Sequence, residues 1–138
     1  MKVLSLFDGI SCGMLALQRA GIPVECYDAF EIDKYAVTVS KRNFPVIVHH
    51  GNVYDGDFTK FQGYDLLLGG SPCTYWSIAK KDREVDCNGE GFRLFKEYVR
   101  ALEESGCKYF LYENNYSVHQ NIKDEITRVL GVEPIMIN

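Results

Sequence analysis

The sequence predicts an α/β fold, with a mostly parallel β-sheet and helices on both of its faces. Short apolar runs that suit buried strands alternate with segments whose apolar residues recur at helical spacing. Glycines and polar residues follow most of the apolar runs, as at the strand ends of such a sheet. The length of 138 residues and the hydrophobic content of 46% suffice for one domain with a buried core, spanning residues 1–138.

The predicted strands are apolar, alternating or β-branched runs. They lie at residues 2–7, 24–31, 46–50, 64–70 and 107–114, and a further strand starts in residues 132–138. Helices are predicted at residues 13–21, 34–44, 91–106 and 122–131. The third helix has the clearest apolar stripe, and Gly106 is its stop signal. Asp33 is the expected N-cap of the second helix.

Composition excludes several classes of protein. No apolar run approaches the roughly 20 residues of a membrane span. The five cysteines are odd in number and form no C-x-x-C, which argues against a disulfide framework or a zinc site. The net charge of −4 argues against strong nonspecific DNA binding by this chain alone. We therefore expect a monomeric cytoplasmic protein without metal.

The segment "FDGISCG" at residues 7–13 follows the first strand and opens the first helix. A dinucleotide site would have G-x-G-x-x-G here, but only Gly9 and Gly13 are present, and Asp8 is unsuited to a pyrophosphate. An acid suits a ligand with a positive centre, and Glu31 at the end of the second strand suits ribose hydroxyls. Both features indicate S-adenosylmethionine. The alternative is that Asp8 caps the helix and Glu31 is a solvated strand end.

A thiol and a carboxyl follow neighbouring strands of the predicted sheet. Cys73 comes after the fourth strand, directly behind Pro72, and Glu113 ends the fifth. Without a catalytic histidine this pair suits attack on an electron-poor ring, such as C6 of cytosine. Glu113 would donate a proton toward N3, which burial would favour, and Cys73 would need positive surroundings to become a thiolate.

At these positions the sequence resembles the DNA cytosine-5 methyltransferases. The motifs "FDGISCG", "EID" (31–33), "GGSPC" (69–73) and "ENN" (113–115) occur in that family's order and spacing. The resemblance covers essentially the whole chain, as the N-terminal part of the catalytic domain. It implies a Rossmann-like S-adenosylmethionine-dependent methyltransferase fold that is truncated before the end of the sheet.

The resemblance also implies a role for each matching residue. The S-adenosylmethionine pocket would comprise Phe7, Asp8, Gly9, Ile10, Glu31, Ile32, Asn52, Val53 and Leu94. Cys73 would be the nucleophile and Glu113 the partner of N3. Ser71, Pro72 and Asn114 would border the substrate.

Departures from the family pattern carry further expectations. Asn115 replaces a valine, Asn52 replaces a frequent aspartate, and Trp76 is expected to reshape the base pocket. The family's later arginine motif and target-recognition region are not among these residues, so we expect the chain alone to be inactive. The full-length protein would methylate DNA in a bacterial or phage setting.

Three alternatives remain at this stage. The first is an RNA cytosine-5 methyltransferase on the same scaffold, and the second is a catalytically dead regulatory module. The third is a nicotinamide oxidoreductase, which Asp8 and the missing third glycine disfavour. Lys80, Lys81 and Arg83 would either be solvated or contact phosphates.

Overall fold

Five parallel strands form the centre of the computed structural model, which describes residues 1–137. They are β1 (Lys2–Leu6), β2 (Cys26–Phe30), β3 (Val48–His49), β4 (Leu66–Gly69) and β5 (Tyr109–Tyr112). Their order in the sheet is β3-β2-β1-β4-β5. The order reverses between β1 and β4, so the carboxyl ends of these strands open into the crevice where α/β sheets bind ligands.

Four α-helices connect or follow the strands, within two residues of the predicted bounds. They are α1 (Cys12–Arg19), α2 (Lys34–Asn43), α3 (Glu90–Ser105) and α4 (Gln120–Leu130). The prediction for Asp33 is confirmed, because its carboxylate accepts the backbone N–H groups of Tyr35 and Ala36 at 2.8 and 3.2 Å. In the described part of the chain, no helix is long and apolar enough to span a membrane.

Helices cover both faces of the sheet, as predicted. On one face, Met14 and Leu17 of α1 pack in a buried cluster with Val3 of β1 and Tyr27 of β2. The opposite face is covered by α3. The cluster there includes Leu4, Leu6, Leu67, Tyr98 and Ala101. Because side chains alternate between the two faces of a strand, β1, β2 and β4 contribute to both clusters.

The fourth helix packs beside α3 in a third cluster. Ile122 of α4 lies there with Phe92 and Phe95 of α3, and Trp76 from the loop between β4 and α3 completes the cluster. The loop is therefore folded onto the helical layer, not extended into solvent.

The strand predicted to start in residues 132–138 is not seen. Residues 132–137 are exposed and form no strand, and Asn138 lies outside the described residues. A strand needs a neighbour for its hydrogen bonds, and within residues 1–137 this segment pairs with no other strand.

Candidate active site

A cleft of about 210 Å³ opens at the carboxyl ends of the strands. Six of the nine predicted cofactor residues line it: Phe7, Glu31, Ile32, Asn52, Val53 and Leu94. Pro72, predicted to border the substrate, also lines it, together with Phe30. The walls are thus partly apolar and carry two carboxylates, Glu31 directly after β2 and Glu90, a composition that suits a nucleoside site.

Glu31 is held rigidly at the cleft. Its Oε2 accepts the backbone N–H of Gly9 at 2.9 Å, and its Oε1 accepts the backbone N–H of Asp33 at 3.0 Å. These two bonds fix the side chain and tie the loop after β1 to the loop after β2. Each carboxylate oxygen keeps a further lone pair, so Glu31 can still accept hydrogen bonds from a diol.

Asp8 does not line the cleft, and its contact with a positive centre of the ligand stays a prediction. Its carboxylate instead accepts hydrogen bonds from the hydroxyls of Ser5 and Tyr27, both at 2.6 Å, and of Ser11. Burial and the neighbouring Asp8 raise the pKa of Tyr27, so its hydroxyl remains a donor. Asp8 therefore organises the loop from within.

The loop that contains Asp8 is unusually tight. Phe7, Gly9 and Ser11 all have positive φ angles, of 56°, 59° and 67°. Gly9 and Ile10 lie outside the cleft lining, contrary to expectation, and Ile10 is 49% exposed. Two non-glycine residues in the left-handed region carry a conformational cost, which the hydrogen bonds to Asp8 offset.

Several cleft residues were not identified from the sequence. Tyr54, after β3, donates a hydrogen bond to the Glu90 carboxylate at the start of α3 at 2.6 Å, and both residues line the cleft. Desolvation and this bond to Glu90 raise the pKa of Tyr54 to about 12, although the residue is 45% exposed. Thr74 and Tyr75 complete the wall. In the sequence, Tyr54 could have been recognised as a cleft residue from its position two residues after Asn52, a predicted cofactor residue.

Arg100 of α3 fixes the segment that carries Asn52 and Val53. Its guanidinium donates to the carbonyl oxygens of Val53 at 3.0 Å and Gly56 at 2.9 Å. Glu97 and Glu104 pair with it, and these partners raise the pKa of Arg100 despite its partial burial. The wall of the cleft that contains Asn52 and Val53 is thereby attached to α3, which forms another wall.

The segments with Cys73 and Glu113 leave adjacent strands side by side. Gly69 of β4 pairs with Tyr112 of β5, and the backbone N–H of Glu113 donates to the carbonyl of Gly69 at 2.9 Å. The side chains of Cys73 and Glu113 are both exposed. The described residues therefore do not supply the burial that the sequence argument required for Glu113.

Ser71 and Asn114 join these two segments. The Asn114 amide donates to the backbone carbonyl of Ser71 at 2.9 Å, and the buried Ser71 hydroxyl lies 2.6 Å from that of Tyr112. The segments that carry the Cys73 thiol and the Glu113 carboxyl are therefore hydrogen-bonded to each other, at the edge of the cleft that Pro72 lines.

The amino-acid sequence matches a known family. The profile of the C-5 cytosine-specific DNA methylases matches residues 1–130. The chain belongs to this family. The resemblance noted in the sequence and the predicted methyltransferase fold are both confirmed.

Relatives of this chain come from phages and bacteria. It is 39% identical over 118 residues to the orphan methyltransferase M.SPRI of Bacillus phage SPR, covering 83% of this chain and 26% of the relative. It is 34% identical over 116 residues to the type II methyltransferase M.HgiCII of Herpetosiphon aurantiacus, covering 82% and 25%. The chain thus spans about a quarter of the length of these relatives.

Solved structures share the fold. A mutant of DNMT2 from Spodoptera frugiperda superimposes with a TM-score of 0.73 at 22% identity, over 94% of this chain and 40% of that one. Dnmt2 from S. pombe gives a TM-score of 0.64 at 18% identity, over 95% and 41%. These similarities support the Rossmann-like architecture of the methylase.

Trp76 does not line the cleft, and its effect on the base pocket stays a prediction. Its side chain is 0% exposed and packs in the cluster of α3 and α4, where Gly91 leaves room for the indole. Glu84 from the same loop accepts the backbone N–H groups of Glu90 and Gly91 at 2.9 and 3.0 Å, which caps α3. These contacts hold the loop after Cys73 against the helices.

The basic residues of the loop have different surroundings. Arg83 donates to the backbone carbonyl of Ser117 at 2.8 Å, so part of its guanidinium serves the fold. The Lys80 ammonium lies 5.1 Å from the centre of the Tyr75 ring, and Lys81 is exposed. Within residues 1–137, no group of three or more His, Cys, Asp and Glu side chains could hold a metal ion.

Proposed function

We propose that this chain is the cofactor-binding and catalytic core of an enzyme that methylates C5 of cytosine in DNA, with S-adenosylmethionine as donor. Membership of the methylase family supports the reaction class. The observation that carries the proposal is the joining of the Cys73 and Glu113 segments, through Ser71 and Asn114, beside the cleft that Glu31 and Pro72 line.

The cleft residues fit S-adenosylmethionine. Ile32, Val53 and Leu94 offer apolar surface for an adenine ring, and Glu31 keeps acceptor capacity for the ribose hydroxyls. S-adenosylmethionine supplies the methyl group as an electrophilic carbon on a sulfonium. Asp8, which is engaged by three hydroxyls, acts by fixing the loop.

Cys73 and Glu113 act on the base in this proposal. The Cys73 thiolate forms a bond to C6 of cytosine while Glu113 donates a proton at N3, and the ring electrons make C5 nucleophilic. C5 would take the methyl group from the sulfonium, with S-adenosylhomocysteine as the other product. A solvent base then accepts the C5 proton, the S–C6 bond breaks so that the Cys73 thiolate leaves, and the N3 proton returns to the Glu113 carboxylate. Because C6 is inaccessible in a stacked duplex, the cytosine must first be flipped out.

We further propose that the chain needs the rest of a longer enzyme for activity. The chain spans about a quarter of the length of its relatives, and the Glu113 side chain is exposed, whereas proton donation to a base is favoured by an enclosed carboxyl. A bound cytosine and further protein surface would enclose it.

A mechanism trap tests the proposed chemistry. The complete methyltransferase that contains this chain is incubated with S-adenosylmethionine and DNA carrying 5-fluorocytosine, which blocks loss of the C5 substituent, and a covalent adduct is sought by mass spectrometry. We expect an adduct with the unsubstituted protein and with Cys87→Ala, and none with Cys73→Ala. An adduct that persists in Cys73→Ala contradicts the nucleophile assignment. When the same incubation is made with RNA in place of DNA, an adduct on the RNA alone contradicts the choice of DNA.

A binding measurement tests the cofactor site separately. Calorimetry with S-adenosylhomocysteine should show weaker binding in Glu31→Gln than in Glu25→Gln, which alters an exposed acid near the start of β2. Equal affinities for the two variants would contradict the role of Glu31.

A further inference from the structure

The hydroxyl of Tyr112 lies between the two segments that carry the proposed catalytic residues. It is 2.6 Å from the Ser71 hydroxyl and 3.5 Å from the Asn114 amide nitrogen. Ser71 precedes Cys73 by two positions, and Tyr112 directly precedes Glu113. One hydrogen bond therefore joins β5, just before the carboxyl, to the loop just before the thiol.

The ring of Tyr112 is fixed independently of this hydroxyl. It packs edge-on against Phe95, with ring centres 5.2 Å apart, and against Tyr98 at 5.0 Å, both on α3. A phenylalanine would fill the same space and keep these contacts. The hydroxyl is thus dispensable for packing, and its specific contribution is the polar contact with Ser71 and Asn114.

The Tyr112–Ser71 contact is partly buried, which increases its influence on geometry. Ser71 is 3% exposed, and burial raises the pKa of Tyr112, so the phenol keeps its proton at neutral pH. Removing the Tyr112 hydroxyl leaves the Ser71 hydroxyl with the Asn114 amide, which donates to it at 3.4 Å, so the contact is lost without leaving that group unpaired.

We propose that Tyr112 is a positioning residue that acts through Ser71, setting the loop of Cys73 relative to Glu113. This inference rests on the proposed function, because it assigns to Tyr112 the alignment of the two groups that attack and protonate the base. Tyr112 itself does not touch the reacting atoms. Its hydroxyl lowers the freedom of the thiol to move away from the carboxyl before reaction.

The test compares Tyr112→Phe, Ser71→Ala and the double variant in the complete methyltransferase. The rate of adduct formation with 5-fluorocytosine DNA is measured at saturating S-adenosylmethionine. We expect Tyr112→Phe and Ser71→Ala each to slow the reaction about fivefold, the usual effect of one hydrogen bond. The double variant should lose little more, because both changes remove the same contact.

Tyr109→Phe is the matched control, since this tyrosine lies on the exposed face of the same strand and is 51% exposed. It should react at the rate of the unsubstituted enzyme. For Tyr112→Phe, the KM for S-adenosylmethionine and the melting temperature should stay close to the unsubstituted values while kcat falls, which a merely structural role would not produce.

Three results would contradict the inference. An unchanged adduct rate in both Tyr112→Phe and Ser71→Ala would remove the positioning role, and additive losses in the double variant would show that the hydroxyls act separately. A fall in melting temperature and cofactor affinity that matches the loss of rate would assign Tyr112 to general stability. If the unsubstituted enzyme forms no adduct, the proposed function itself fails, and the inference fails with it.

Discussion

Gly70 and Glu113 approach each other so closely that no side chain fits between them. A Cβ atom on Gly70 would lie 2.1 Å from the backbone carbonyl oxygen of Glu113 and 3.3 Å from its carboxylate. The glycine after β4 is therefore required by distance, because the loop toward Cys73 passes directly over the end of β5. This approach brings the backbones of the segments that carry Cys73 and Glu113 into contact.

Gly70→Ala is expected to force these segments apart. Relief of the overlap should lower the free energy of unfolding by about 1–3 kcal/mol, as overpacking commonly does. The rate of adduct formation should fall by more than the loss of folding stability accounts for, because the Cys73 thiol moves relative to the Glu113 carboxyl. Denaturant unfolding and the adduct assay measure the two effects. Gly63→Ala, at an open position with φ of 86°, should lose stability through strain but keep the adduct rate; equal adduct rates in both variants would contradict this argument.

Tyr27→Phe is expected to weaken cofactor binding indirectly, by loosening the loop that contains Asp8. The substitution removes one of the three hydroxyls that hold the Asp8 carboxylate, and so loosens the loop with three positive φ angles. The affinity for S-adenosylhomocysteine should fall about fivefold, the effect of one lost hydrogen bond. Calorimetry with Tyr35→Phe as an exposed control measures it, and equal affinities would show that the loop holds its shape without Tyr27.

Arg100→Met is expected to destabilise both the fold and the wall that carries Asn52 and Val53. It removes two bonds to backbone carbonyls and leaves Glu97 and Glu104 without their cation, which should cost about 2 kcal/mol. Arg128→Met breaks an exposed pair and should change stability by less than about 1 kcal/mol. Thermal unfolding compares the two variants, and equal losses of stability would contradict the role of Arg100 in holding the segment that carries Asn52 and Val53.

The sequence allowed the order of elements and the location of the site to be predicted. Strand and helix periodicities are local, so each element could be recognised from its own residues. The site could be located because parallel strands end at one edge, which groups residues such as Glu31 and Asn52. The run at residues 132–137 shows the limit, since an apolar pattern does not become a strand without a partner.

The contacts inside the site could not be predicted, because their partners come from distant elements. The three hydroxyls that donate to the Asp8 carboxylate come from β1, β2 and the start of α1, and only the folded chain brings them together. Trp76 lies in an irregular loop, where no periodicity indicates the direction of a side chain. Nothing in the local sequence around Arg100 indicates its contact with the carbonyl oxygen of Val53, which comes from a distant segment.

The Tyr54–Glu90 bond across the cleft is expected to persist at neutral pH and to break only in strong alkali. Desolvation and Glu90 raise the pKa of Tyr54 to about 12 from its ordinary value of 10.0. A raised pKa favours the protonated phenol in the folded state, so the contribution of this bond is complete below pH 10 and is lost as the pH rises toward 12. The difference in near-ultraviolet tyrosinate absorbance between the unsubstituted chain and Tyr54→Phe should therefore have its midpoint near pH 12. A midpoint near pH 10 would mean that Tyr54 is free of Glu90 in solution, and Glu90→Gln should shift the midpoint downward.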